Sequence, residues 1–241
     1  MRNTWLIARR ELATYVRTPT GWLIAACALL IDGILYNAYA LGAVPKLSSE
    51  VLQGFFYFSS GTTIGAAILL SMRLIAEERQ MGTLVLLFTS PVRESEIVLG
   101  KFLAALVFLS GMTLLSVYMP ALIFVNGKVS IGHVMAGYMG LLMLGAATLA
   151  VGTLCSAIAR TQLVAGVLST FFVLLLWFNY KLAQITDEPL TGVVAYLGFY
   201  SPHFIPFQHG IFQLSGVVFY ASIAYVALLA ATRVLQSQRW Q

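Results

Sequence analysis

Most of the residues in this chain that could do chemistry fall in one stretch. Residues 73–101, RLIAEERQMGTLVLLFTSPVRESEIVLGK, lie between two long apolar runs and carry acids and bases at both ends. Arg73 and Glu77 are four apart and can pair on a helix face. Glu77, Glu78 and Arg79 make a polar helix end. Gly82, followed by Thr83, permits a turn or a close approach. Ser90 and Pro91 read as the cap and the first position of a following helix. The run from Thr83 to Phe88 is apolar enough to pack on a partner or on the membrane interface. This is the chemistry of a docking element, not of a reaction centre.

The remaining reactive groups are scattered. Asp32 stands alone in the middle of an apolar run, where an ionisable group is costly and marks a translocation path or a cation site; a pair with a polar group on a neighbouring helix is the structural alternative. Met135, Met139 and Met143 recur every four residues. Thioethers suit Cu(I), but no Cys or His shares that stripe, and methionines are adaptable packing. His133, His203 and His209 define no metal geometry. Gly61 and Gly65 permit close helix packing. There is no HExxH and no G-x-S-x-G. Gly100-Lys101 fails as a phosphate-binding loop, because Ser95 stands where the first Gly is needed and Phe102 follows the Lys. The chain is therefore expected not to be an enzyme and to hold no cofactor of its own.

The elements that must position these residues are set by composition. Of 241 residues, 59% are hydrophobic and 10% charged, against about 25% charged in soluble domains. That implies an all-α integral membrane protein, since a barrel would show short alternating segments. Six apolar runs can each cross: 22–43, 52–72, 102–125, 133–157, 162–180 and 211–232. Residues 73–101 form the segment between the second and third, and 181–210 a longer connection before the sixth. From Glu188 to Arg233 no charged residue intervenes, which is too long for one crossing, so part of 190–210 is expected to re-enter the membrane as a broken element. The whole chain, 1–241, reads as one transmembrane domain. Cys27 and Cys155 lie in apolar runs and read as small hydrophobes. No small-residue cleavage site follows the first span, which is expected to stay as an anchor.

Residues 1–17 precede it. At about 100° per residue, Arg2, Arg9, Arg10 and Arg17 fall on one side, with Trp5, Ala8, Leu12, Tyr15 and Val16 largely on the other. The expectation is an interfacial helix lying on the inner leaflet. With six crossings, Arg2, Arg9, Arg10, Arg17, Arg73, Arg79, Arg93, Lys101, Arg160, Arg233 and Arg239 share one side of the membrane, and Lys46, Lys128 and Lys181 the other. The excess places both termini and the charged segment in the cytoplasm. The net charge of +5 reflects that asymmetry rather than a nucleic-acid partner.

The run EERQMGTLVLLFTSPV followed by IVLGKFLA resembles the signature of type-2 ABC (ABC-2) transporter permeases, closest to the GldF-like gliding-motility and NosY-like group. Glu77, Glu78, Gly82, Thr83, Leu86, Leu87, Ser90, Pro91, Gly100, Lys101 and Phe102 carry the resemblance. It extends to the basic N-terminal helix, to Ser201-Pro202-His203 and to Arg239-Trp240. One departure is His209-Gly210, where such permeases often have Arg-Gly.

The resemblance implies a permease subunit in a bacterial inner membrane, most simply of an exporter. It would pair with a second copy or a paralogue, and with two copies of an ATPase subunit that bind ATP and Mg. Coupling would fall to Glu77, Glu78, Arg79, Gly82, Thr83, Ser90 and Pro91, with the N-terminal helix (Trp5, Arg9, Arg10, Leu12). Short outer helices around Pro202, His203 and His209 would form an exit gate, and Asp32 is the candidate on the path. Two other readings stay open: a force-transmitting subunit acting on a periplasmic partner, and an ion-coupled carrier using Asp32.

Overall fold

In lipid the backbone polar groups of a long apolar run can be satisfied only within the run itself. The computed structural model, which describes residues 2–41, 47–84, 89, 92–126, 128–183 and 196–239, is accordingly helical, with no strand among those residues. In chain order, α1 is Arg2–Arg17, and α2 is Pro19–Leu35, extended by wider π turns at Tyr36–Leu41. Next come α3 (Ser48–Ser71), the short α4 (Ala76–Gln80), α5 (Glu94–Leu115) and α6 (Tyr118–Asn126). The chain continues through α7 (Ile131–Ile158), α8 (Gln162–Ala183), the short α9 (Ile205–Gln208) and α10 (Leu214–Arg239). Six helical stretches are long and apolar enough to cross a membrane: Pro19–Tyr39, Ser48–Gln80, Glu94–Phe124, Ile131–Ile158, Gln162–Asn179 and Leu214–Gln238.

The axis of the bundle is α7, packed by α3, α5, α8 and α10. Of its most apolar stretch 72% is buried within the chain, against 17% for α2 and for α8. Small residues explain its central place: a side chain at Gly137 would strike the Phe56 ring, and one at Gly152 would strike Ser71. Close approach of this kind is what holds helices together where lipid competes for apolar contact.

Element ends follow local chemistry. Between α1 and α2 only Thr18 leaves the helix, with Pro19 at the first position of α2, where its missing N–H costs nothing. The third crossing is interrupted at Ser116–Val117. There Ser116 Oγ donates to the Thr113 carbonyl (2.7 Å) and shares a 3.0 Å bond with the Tyr138 hydroxyl; Pro120 follows two residues into α6. A buried polar pair of this kind satisfies backbone freed by the break.

Candidate functional site

The charged stretch assembles at one end of the bundle, where α1, α3, α4 and α5 meet. After α3 the chain turns and enters α4, whose first free N–H groups are satisfied from across the bundle. Ser156 Oγ on α7 accepts from the backbone N–H of Ile75 and of Ala76, both at 3.0 Å. Arg79 completes the attachment. Its guanidinium donates to the carbonyls of Ala157 (2.7 Å), Ile158 (3.1 Å) and Ala159 (2.7 Å), and also to the Gln238 side chain. A cation there caps the carbonyl end of α7 and opposes the helix dipole. Arg79 therefore turns inward and straps α4 to α7 and α10.

Arg73 and Glu77 form the expected pair, through two 2.9 Å bonds. The helix then ends at Gly82, whose φ of +72° is the left-handed conformation glycine favours. The Thr83 N–H returns to the Glu78 carbonyl at 2.9 Å. Met81, Gly82 and Thr83 are exposed together at the tip of this turn.

Glu78 points into the bundle, where it meets a residue that the sequence reading left without a role. Lys101, two turns into α5, is only 3% exposed, and its ammonium lies 2.7 Å from Glu78 Oε1 and 2.9 Å from Glu11 Oε1 on α1. The other oxygen of Glu78 is buried without a hydrogen-bond partner. Beside these groups lies a cavity of about 630 Å³ between α1, α4 and α5; Arg10, Glu11, Thr14, Glu77 and Lys101 are on its wall.

Helix α1 runs alongside α5 from Glu96 to Phe108, in the same direction. Asn3 donates to Glu96 (3.2 Å), a side chain at Gly100 would strike Ile7, Glu11 meets Lys101, and Tyr15 stacks on Phe108 at 5.3 Å. The face turned to the bundle thus carries Ala8 and Tyr15, with Ile7 and Glu11 half-buried. Trp5, Val16, Arg9 and Arg10 are exposed, and Leu12 is half-buried. That inward face is rotated from the Trp5–Val16 side, because glycine at position 100 lets the Ile7 side approach. Ser90 and Pro91 lie outside the described residues, as do Leu86 and Leu87. The first turn of α5 is capped at Arg93, whose backbone N–H donates to Glu96 Oε2 at 3.2 Å.

At the opposite end, residues 196–213 fold over the bundle, while 184–195 lie outside the described residues. His203 is buried. Its Nε2–H donates to the Tyr196 carbonyl (2.9 Å), and its ring stacks on Phe219 with centroids 3.7 Å apart. Burial holds its pKa below the usual histidine value, partly opposed by that hydrogen bond. Pro202 is half-buried and His209 exposed. The ties run instead through Gln208, which donates to the Gln53 carbonyl (3.1 Å), accepts from Tyr200 (3.1 Å) and offers its own carbonyl to His133 (2.8 Å).

Asp32 is buried on α2, and its Oδ1 accepts from Thr62 on α3 at 2.7 Å. Thr62 lines an apolar groove of about 460 Å³ between α2, α3 and Trp177 of α8. Met135 and Met139 face outward. No cluster of His, Cys, Asp and Glu able to hold a metal occurs among the described residues.

Residues 5–203 match the family described as ABC-2 family transporter protein. Over 108 residues the chain is 36% identical to the probable ABC transporter permease protein NosY of Pseudomonas aeruginosa. That match takes in 43% of this chain and 38% of the relative, so it spans less than half of either.

Proposed function

This chain belongs to the ABC-2 family of transporter proteins, and on that premise we propose that it is the membrane permease subunit of an ATP-driven exporter worked by a separate ATPase chain. The observation that carries the reading is the ion-paired platform at one end of the apolar bundle. An exposed turn, Met81-Gly82-Thr83, projects from a short helix that is strapped to α7 by Arg79 and joined to α1 and α5 through Lys101. A force applied at that turn reaches three helices through charged contacts that are costly to break.

Two ATPase subunits dock beneath two permease subunits, the second being another copy of this chain or a paralogue. ATP and Mg are held in the ATPase. That end, with both termini, faces the cytoplasm of a bacterial cell in this reading, which the excess of Arg and Lys on the platform side supports. Closure of the motor presses on α4 and α1, the two permease halves rock, and a path opens between them.

The test is a pull-down of tagged chain expressed from its own locus, in mild detergent and read by mass spectrometry. A co-purifying ATPase with a Walker motif is expected. If none comes down, the permease reading is overturned, and an ion-coupled carrier using Asp32 takes its place.

A further inference from the structure

We propose that Lys101 is the positioning residue that carries displacement of α4 to α1. The inference rests on the permease reading and assigns to one side chain the step between the docking turn and the N-terminal helix.

Three elements meet at the Lys101 ammonium: α5, which bears it, α1 through Glu11 at 2.9 Å, and α4 through Glu78 at 2.7 Å. Helix α1 packs on α5 and α2, whereas α4 rests on α7 and α8. Among the described residues no other hydrogen bond or ion pair links α1 to α4. Neither carboxylate can easily be parted from the ammonium. Pulling one partner away strands a charge in a site that is only 3% exposed on the lysine side, and such stranding is far costlier than the pair is stabilising. Glu78 has no substitute, since its second oxygen is already buried without a partner. The triad therefore moves as a unit. Next to it, Gly100 brings α5 against Ile7 and the Thr4 carbonyl of α1. Apolar packing lays α1 on α5, and within that contact the Glu11–Lys101–Glu78 triad is the polar tie from α1 to α4.

The experiment uses the permease with its co-purified ATPase in lipid nanodiscs. A Thr14→Cys probe is placed in a Cys27→Ala, Cys155→Ala background; position 14 is exposed and lines the cavity between α1 and α4. The readout is the rate of maleimide labelling with and without ATP and vanadate. In the otherwise unsubstituted complex the rate is expected to change severalfold with nucleotide. Lys101→Met and Glu11→Gln should each abolish the change while the ATPase stays bound, and Lys101→Arg should restore it. A merely structural lysine would lower thermal stability in Lys101→Met but leave the nucleotide response of the folded fraction intact. Persistence of the response in Glu11→Gln overturns the proposal. That variant spares the Lys101–Glu78 pair, so it decides the matter even if Lys101→Met fails to assemble. Failure of the ATPase to bind the unsubstituted chain is a different outcome, seen before any substitution at the triad, and overturns the permease reading itself.

Discussion

Two side chains show how single residues hold the ends of this bundle. Arg79 supplies charged hydrogen bonds to the last carbonyls of α7. Arg79→Met should cost about 1–3 kcal/mol, seen as a lower melting temperature in detergent, and should loosen α4 against protease. His203 acts on the pH dependence. Its folded-state pKa lies below the ordinary value of 6.5, so as pH falls the unfolded chain takes up the proton first. The contribution of His203 is thus full above about pH 6.5 and is lost as pH falls toward its folded value. Melting temperature should drop between about pH 7 and pH 5, and His203→Phe should flatten that slope. Legibility at this scale was uneven. The Arg73–Glu77 pair could be read from a four-residue spacing. Lys101 could not, because its partners Glu11 and Glu78 come from elements whose packing no local pattern records. The available signals were a lone lysine at the mouth of an apolar helix and its place in the Gly100-Lys101-Phe102 motif.

At the scale of elements, the turn proposed to dock the ATPase depends on backbone conformation as much as on charge. Gly82→Ala must adopt a left-handed φ, at a cost of roughly 1–2 kcal/mol. The variant should insert normally but capture less ATPase in the pull-down. Replacing both carboxylates, Glu77→Ala with Glu78→Ala, should detach or uncouple the motor while the bundle stays inserted; full ATPase binding and nucleotide response in that variant would contradict the role given to α4. The long helices were legible because lipid leaves an apolar run no other way to satisfy its backbone. Their ends were less so. The start of α5 at Glu94, ahead of the apolar run, is set by Glu96 reaching back to the Arg93 backbone and by Asn3 docking on Glu96. The orientation of α1 was open for the same reason: a helical wheel shows which residues share a face, and the glycine at position 100 of a different helix selects the face that is buried.

For the molecule as a whole, the uneven burial of the spans is informative. Helices α2 and α8 lie at the edge, and Gly61 and Gly65 of α3 open into the groove between them, with nothing near either glycine. If the second permease subunit sits against this side, Gly61→Trp together with Gly65→Trp should shift the complex from two permease copies to one. Mass photometry of the purified complex checks this, and an unchanged mass would place the interface elsewhere. The number of spans was readable from composition. This lateral groove was not, because it is a property of how three separated runs lean together.

The interruption at Ser116–Val117 has a mechanical meaning. A straight rod would deliver at its far end whatever shift it received at its near end. A rod with a knuckle toward its far end, held by the Tyr138 hydroxyl, absorbs part of that shift as bending. The longer part of the third crossing, which carries α1, can therefore swing with it while α6, beyond the break, follows less. The two ends of the bundle need not move together, and a transporter that must never be open at both ends gains from that independence.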